Sequence, residues 1–207
     1  RITMILEQCK NLLETNATAI AHQVNCRGVM GAGVAKLIRS EIISDSQYEM
    51  YQNLCKSKTA YELMGHNKVM SVPQGRIMTY VVNMFAEDIP TGKGLDTDYK
   101  SLYLCLQELE KWCRDNHIMH AAIPGYLGCG LAGGDWNLVY NHMIVPIFKD
   151  SPILLEIDYL PASVELLIQE FESLPLTDES RLTSEWHGFK AGASTVQIHA
   201  YLAKTFF

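Results

Sequence analysis

No stretch of this chain approaches the ~20 consecutive apolar residues that a membrane-spanning helix needs. Arg1 to Lys10 also lacks the long apolar core of a secretion signal. Positive charge is scarce: 17 Lys and Arg against 23 Asp and Glu leave a net charge of −6. That argues against a protein that coats nucleic acid with cationic surface. It leaves a small anionic ligand open, because main-chain amides bind phosphate without a lysine. The six cysteines, Cys9, Cys26, Cys55, Cys105, Cys113 and Cys129, form no C-x-x-C pair. Neither a zinc module nor a disulfide scaffold is expected from them, and the setting implied is reducing and cytoplasmic. No metal, no cofactor and no membrane partner is implied. Internal repeats and low-complexity tracts are missing too.

The 207 residues are 48% apolar, enough for one well-buried α/β domain with an appendage. The chain is organised around Ala21 to Arg39. An apolar run, Ala19 to Val24, stops at Asn25. The small residues Gly28, Gly31, Ala32 and Gly33 follow, and Val34, Leu37 and Ile38 then begin a helical stripe. Strand, small-residue turn and helix in that order aim main-chain N–H groups and a helix N-terminus at an anion. A second such loop, Gly128 to Gly134, follows the strand Ile118 to Ile123 and precedes Asp135-Trp136. Two loops of this kind suggest one ligand with two phosphates, or a phosphate and a ribose, held between them.

Other elements fall in place around these units. Ile2 to Leu6 reads as a first or edge strand. Ser44 to Cys55 reads as a helix, with Ser44 or Asp45 as its cap. Val69 to Val72 and Ile77 to Asn83 read as strands around the turn Pro73-Gln74-Gly75, with Met84 to Asp88 leaving the second of them. Tyr99, Leu102, Tyr103, Leu106, Leu109, Trp112 and Cys113 mark the clearest helix, with Thr97 or Asp96 to cap it. Trp136 to Val145 reads as a helix that Pro146 kinks or ends. Ile153 to Tyr159 reads as the last strand. Beyond Pro161 come a short helix, Val164 to Phe171, a polar linker, Ser173 to Glu185, and a final helix through Val196, Ile198, Tyr201 and Leu202. This tail has few core residues of its own, so it is expected to pack on the main domain or on a second copy. The fold class expected is α/β with a mixed sheet and helices on both faces.

Four segments carry a family likeness: Gln23 to Ala35, Val82-Asn-Met-Phe85, Thr97-Asp-Tyr99 and Gly128 to Trp136. Together they resemble the macro domain, the ADP-ribose-binding module, and within it the bacterial and phage branch linked to ADP-ribose-1''-phosphate processing. The resemblance covers about residues 2–160. It implies a three-layer α/β/α sandwich over 1–160, with 161–207 as a small helical C-terminal appendage, and a cleft for ADP-ribose at the strand ends. By position, Asn11 and Leu12 would sit by the adenine, and Asn25 would contact the distal ribose. Gly28, Val29, Met30, Gly31, Ala32, Gly33 and Val34 would line the diphosphate on one side. Gly128, Cys129, Gly130, Leu131, Ala132, Gly133 and Gly134 would wrap it from the other, with Phe85 packed by the distal ribose. One glycohydrolase class of the family uses a lysine after the middle strand and an aspartate after the Gly-Cys-Gly-Leu motif. By this alignment Met84 or Phe85, and Ala132, hold those places.

The candidate catalytic residues are His22, Asn25 and Asp135. His22 falls where a histidine occurs in some phosphatase-like members; it could serve as acid, base or phosphate nucleophile, or be a satisfied strand histidine. Asp135 could orient water or simply cap the helix at Trp136. The activity these residues imply is hydrolysis of an ADP-ribose derivative, by removal of a 1''-phosphate or by release of ADP-ribose from a modified macromolecule. The alternative from another class is a reader or sensor that binds ADP-ribose without turnover.

Overall fold

A computed structural model describes residues 4–72, 78, 80–173 and 188–205. Six strands form one sheet: β1 (Ile5–Cys9), β2 (Ala19–Asn25), β3 (Asn67–Ser71), β4 (Tyr80–Glu87), β5 (His120–Pro124) and β6 (Leu154–Tyr159), in the order β1-β6-β5-β2-β4-β3. All neighbours run parallel except β3, which pairs antiparallel with β4 at the edge. β2 lies between β4 and β5. Its near-continuous apolar run follows from being covered on both faces.

Strand alternation sends side chains to two separate cores. On one face Ala19, Ala21, Val82, Met84, Ala121, Ile123 and Ile157 pack against α4 (Tyr99–Asp115) and the helical segment that begins at Trp136. On the other, Ile20, Val24, Val81, Phe85 and Ala122 pack against α1 (Gly33–Glu41) and α2 (Asp45–Ser57). The result is the expected three-layer α/β/α sandwich with a mixed sheet. α2 begins with a capping box, Ser44 and Gln47 satisfying each other's main-chain amides. A short helix that the sequence reading lacked, α3 (Ala60–Leu63), leads into β3.

Several boundaries differ from expectation. Among the described residues the first strand is Ile5–Cys9, running past the expected end at Leu6, while Ile2 and Thr3 lie outside the described residues. β4 continues to Glu87, so Met84, Phe85 and Ala86 lie inside the strand and do not leave it. Asp98, not Thr97 or Asp96, caps α4, accepting from the Ser101 amide at 2.7 Å. Pro146 does not end its helix. α5 (Trp136–Val139) passes through a wide π turn, Tyr140–Ile144, into α6 (Val145–Phe148). The Val145 amide reaches Tyr140, and the wide turn lets the proline ring and its missing amide pass without breaking the helix. The expected turn at Pro73 to Gly75, most of the expected linker and Trp186 lie outside the described residues.

The tail packs back on the sandwich. α7 (Pro161–Ser173) follows β6 directly, and α8 (Thr195–Thr205) lies on α7, α5 and β1. Its anchor is His199, fully buried, whose Nε2 meets the Tyr126 hydroxyl and whose ring lies 4.4 Å from that of Tyr159. His199→Leu strands the Tyr126 hydroxyl in an apolar site, at a cost of about 1–3 kcal/mol. Urea unfolding of the parent and the variant measures it.

Candidate functional site

The parallel strands end together, and a cleft of about 860 Å³ opens there, the place where α/β sheets characteristically bind ligands. Its two long walls are the two glycine loops. Val29, Gly31, Ala32, Gly33 and Val34 form one, and Gly128, Cys129, Gly130, Leu131 and Ala132 the other.

The first wall is built around a helix start without a side-chain cap. The N-cap of α1 is Ala32, which has no side chain to accept a hydrogen bond, and the first turn carries no acidic residue. The amide of Lys36 is bonded to Ala32, so those of Gly33, Val34 and Ala35 lie ahead of the first intrahelical bond, at the cleft surface. By contrast, α2, α3, α4 and α5 are capped by Ser44, Thr59, Asp98 and Asp135. An uncapped helix N-terminus facing a cleft is an anion site in waiting.

Asn25 shapes that wall. Its Nδ2 donates to the Val29 carbonyl at 2.7 Å, and its Oδ1 accepts from the amides of Arg27 at 3.0 Å and Val29 at 3.2 Å. The Tyr51 hydroxyl donates to the Asn25 carbonyl at 2.6 Å. Asn25 lines the cleft, but its amide is spent on holding the loop. Gly28 and Met30, expected along the diphosphate, do not line the cleft. Gly28, at φ +74°, lies so close to α2 that a Cβ would come within 3.3 Å of the Gln52 main chain, and Met30 is buried in the core. Phe85, expected by the distal ribose, stacks beneath on Tyr51 at 6.1 Å and is 1% exposed.

The second wall rests on another close approach. Gly133 and Gly134, expected to wrap the ligand, instead pack behind the loop. A Cβ on Gly133, where φ is +71°, would fall 2.1 Å from the Gly94 carbonyl oxygen. That contact joins the second glycine loop to the segment after β4, as do the amides of Asp96 and Thr97 donating to the Ala132 carbonyl. The Cys129 thiol is pushed up to about 12 by burial and by Asp135, so it is no nucleophile at neutral pH. Asp135 caps α5 by accepting from Leu138 at 3.3 Å, and the fold does not bring it to the cleft lining.

His22 touches the cleft floor but is 1% exposed. Its Nε2 bonds Asn83 Oδ1 at 2.7 Å, and Nδ1 is buried. Burial lowers the imidazole to about 4 against the opposing pull of that hydrogen bond, so it is neutral at physiological pH. This burial does not suit attack on a phosphate.

Asn11 and Leu12 line a smaller adjoining cavity of about 50 Å³, together with Val34, Tyr126 and Asp158. Asn11 already accepts from the Leu13 amide at 3.0 Å. Asp158 is held well above the usual carboxylate range by burial and by its neighbour Glu156. Burial opposes the charge of Glu156, but the hydrogen bond from Thr15, and Lys10 at 3.3 Å, help to outweigh it.

Sequence reasoning missed the other cleft residues. Glu87, Thr91 and Gly92 come from the end of β4 and the segment after it, as does Asp96, which the sequence reading offered as a helix cap, and Tyr126 comes from just before the second loop. Ser163, Leu166, Leu167 and Glu170 come from α7, so the tail supplies part of the wall. The alternation Val81, Asn83, Phe85 along β4 was the available signal for Glu87. Nothing in the sequence of α7 marked it as a cleft wall. Among the described residues lining the cleft there is no lysine or arginine. No group of three or more His, Cys, Asp and Glu side chains among the described residues could hold a metal, and no helix there is long and apolar enough to cross a membrane.

Comparison with known proteins agrees with this geometry. No family model matches the chain. The chain is similar to the macrodomain of Mycobacterium tuberculosis DarG, with a TM-score of 0.65 and 25% identity, covering 77% of this chain and 99% of that one. It is also similar to Thermosipho africanus DarTG in complex with ADP-ribose, with a TM-score of 0.59 and 20% identity, over 72% of this chain and 39% of that one. The fold is therefore that of the macro domain. Among curated proteins, the DNA ADP-ribosyl glycohydrolase of M. tuberculosis is 27% identical over 176 residues, 84% of this chain. This chain spans about half (47%) of that relative's length.

Gly133→Ala forces apart the second glycine loop and the segment carrying Gly94. The variant is expected to melt several degrees below the parent, with the loss read by thermal unfolding.

Proposed function

We propose that the chain binds ADP-ribose with its diphosphate between the two glycine loops and hydrolyses the bond that joins the distal ribose to another group. The observation that carries this is the uncapped start of α1, whose first residues line the cleft together with the Gly128 to Ala132 loop. Amide dipoles take over the neutralising role that cations usually fill. The adenine would lie toward Asn11 and Leu12, whose smaller cavity shares Val34, Tyr126 and Ser163 with the cleft.

Of the two chemistries, release of ADP-ribose from a conjugate is favoured over removal of a 1''-phosphate. The phosphatase reading leaned on His22, whose neutral, buried ring is ill placed for attack. The curated relative's name, DNA ADP-ribosyl glycohydrolase, supports the same choice. The partner is then an ADP-ribosylated macromolecule, and six free cysteines suit a cytoplasmic setting. A reader without turnover is the second reading, favoured by Asp135 being occupied as a cap and Asn25 as a loop clamp.

Calorimetry with ADP-ribose tests the binding. Because amides rather than lysines face the diphosphate, affinity is expected to change little between low and high salt, unlike a lysine-lined site. Gly31→Glu tests the wall: an added Cβ meets nothing nearer than Val29 at 3.7 Å, so the fold is kept while a carboxylate enters the anion site. Affinity should fall tenfold or more, about 1.4 kcal/mol or above. Unchanged affinity in that variant would refute the diphosphate assignment. Turnover is tested on ADP-ribosylated DNA, ADP-ribosylated protein and ADP-ribose-1''-phosphate in parallel.

A further inference from the structure

β4 ends at Glu87, level with Asn25 at the end of β2, where the register slips between Val24 and Asn25. The strand end is held firmly. The Cys26 amide donates to the Glu87 carbonyl at 2.9 Å, and Glu87 bridges to Thr97. The register places Glu87 on the face that carries Asn83 and Phe85, and it lines the cleft with Asn25, Thr91, Gly92 and Asp96. No described cation forms an ion pair with Glu87. The nearby Arg27 is taken by Asp88 at 2.9 Å.

Its neighbour Asp96 is the opposite case. The Thr91 hydroxyl donates to Asp96 Oδ1 at 2.5 Å and the Gly92 amide to Oδ2 at 2.7 Å. These bonds hold Asp96 ionised, with the Thr91 hydroxyl as the main cause. Burial first and Asp96 second push the Glu87 carboxyl above its ordinary range. Two cleft carboxyls with environments pulling them apart are the usual mark of divided acid–base roles.

We infer that Glu87, at the end of β4 in the cleft, is the proton-transfer group of the hydrolysis. A carboxylate at this place serves as a general base. Water adds through its oxygen to C1'' of the distal ribose. The bond from C1'' to the conjugated atom breaks, and its electron pair leaves with that atom. Glu87 takes the proton of the water and passes it to the departing atom, returning to carboxylate. Asp96 stays ionised and keeps Glu87 more basic than a free carboxylate.

This rests on the ADP-ribose reading above, and the experiment separates the two. ADP-ribose affinity and the turnover of ADP-ribosylated DNA and protein are measured for the parent, Glu87→Gln, Glu87→Asp and Asp96→Asn. Glu87→Gln should bind ADP-ribose as the parent does, while kcat falls by about a hundredfold or more. Glu87→Asp should recover part of that loss. The charge that acts on Glu87 is that of Asp96, and Glu87 in turn acts on the Cys26 thiol. Removing the charge of Asp96 should therefore move the acid limb of the kcat–pH profile to lower pH. Parental kcat in Glu87→Gln, or a parent that binds ADP-ribose and cleaves neither conjugate, overturns the role of Glu87 and leaves the binding site standing. A parent that does not bind ADP-ribose removes both.

Discussion

The interaction on which the rest depends is a set of main-chain amides left without partners. The first turn of an α-helix always has them, and a protein normally covers them with a serine, threonine or aspartate side chain. This chain does so at α2, α3, α4 and α5 and omits it at α1, where Ala32 takes the cap position. The open amides lie at the ends of the parallel strands, in a cleft with no lysine or arginine among its described lining residues. A net negative protein thereby presents a positive site without a positive side chain.

Much of the surrounding structure keeps the two walls in place. Asn25 and Tyr51 fasten the turn that leads into α1, and Gly28 lets that turn lie against α2. On the other side, Gly133 lets the second loop meet the segment after β4 at its main chain. The glycines therefore divide their work. Gly31, Gly33, Gly128 and Gly130 face the cleft, and Gly28, Gly133 and Gly134 allow main chain to approach main chain behind it. The tail joins this frame through His199 and Tyr126, since Tyr126 lies two residues before the second loop and lines both cavities.

The sheet, both loops and most helices were legible because hydrophobic period and small-residue turns are local signals. Which loop residue faces in and which faces out was not. That choice depends on α2 and on the segment after β4, far away in sequence. The end of β4 was misplaced because Met84-Phe85-Ala86 gives no turn residue at either end of the true boundary, and only pairing with β2 and β3 decides it. Pro146 misled in the same way: a proline normally stops a helix, and a π turn is invisible in composition. The contribution of α7 to the cleft was hidden for a related reason, since its apolar residues look alike whether they meet a core or a ligand.

The most direct test of the central claim is residue-resolved. In amide NMR spectra, adding ADP-ribose should move the signals of Gly33, Val34 and Ala35, together with those of Gly128 to Ala132, more than any others in the chain. Saturating binding that leaves the three helix-start amides unmoved would contradict the account.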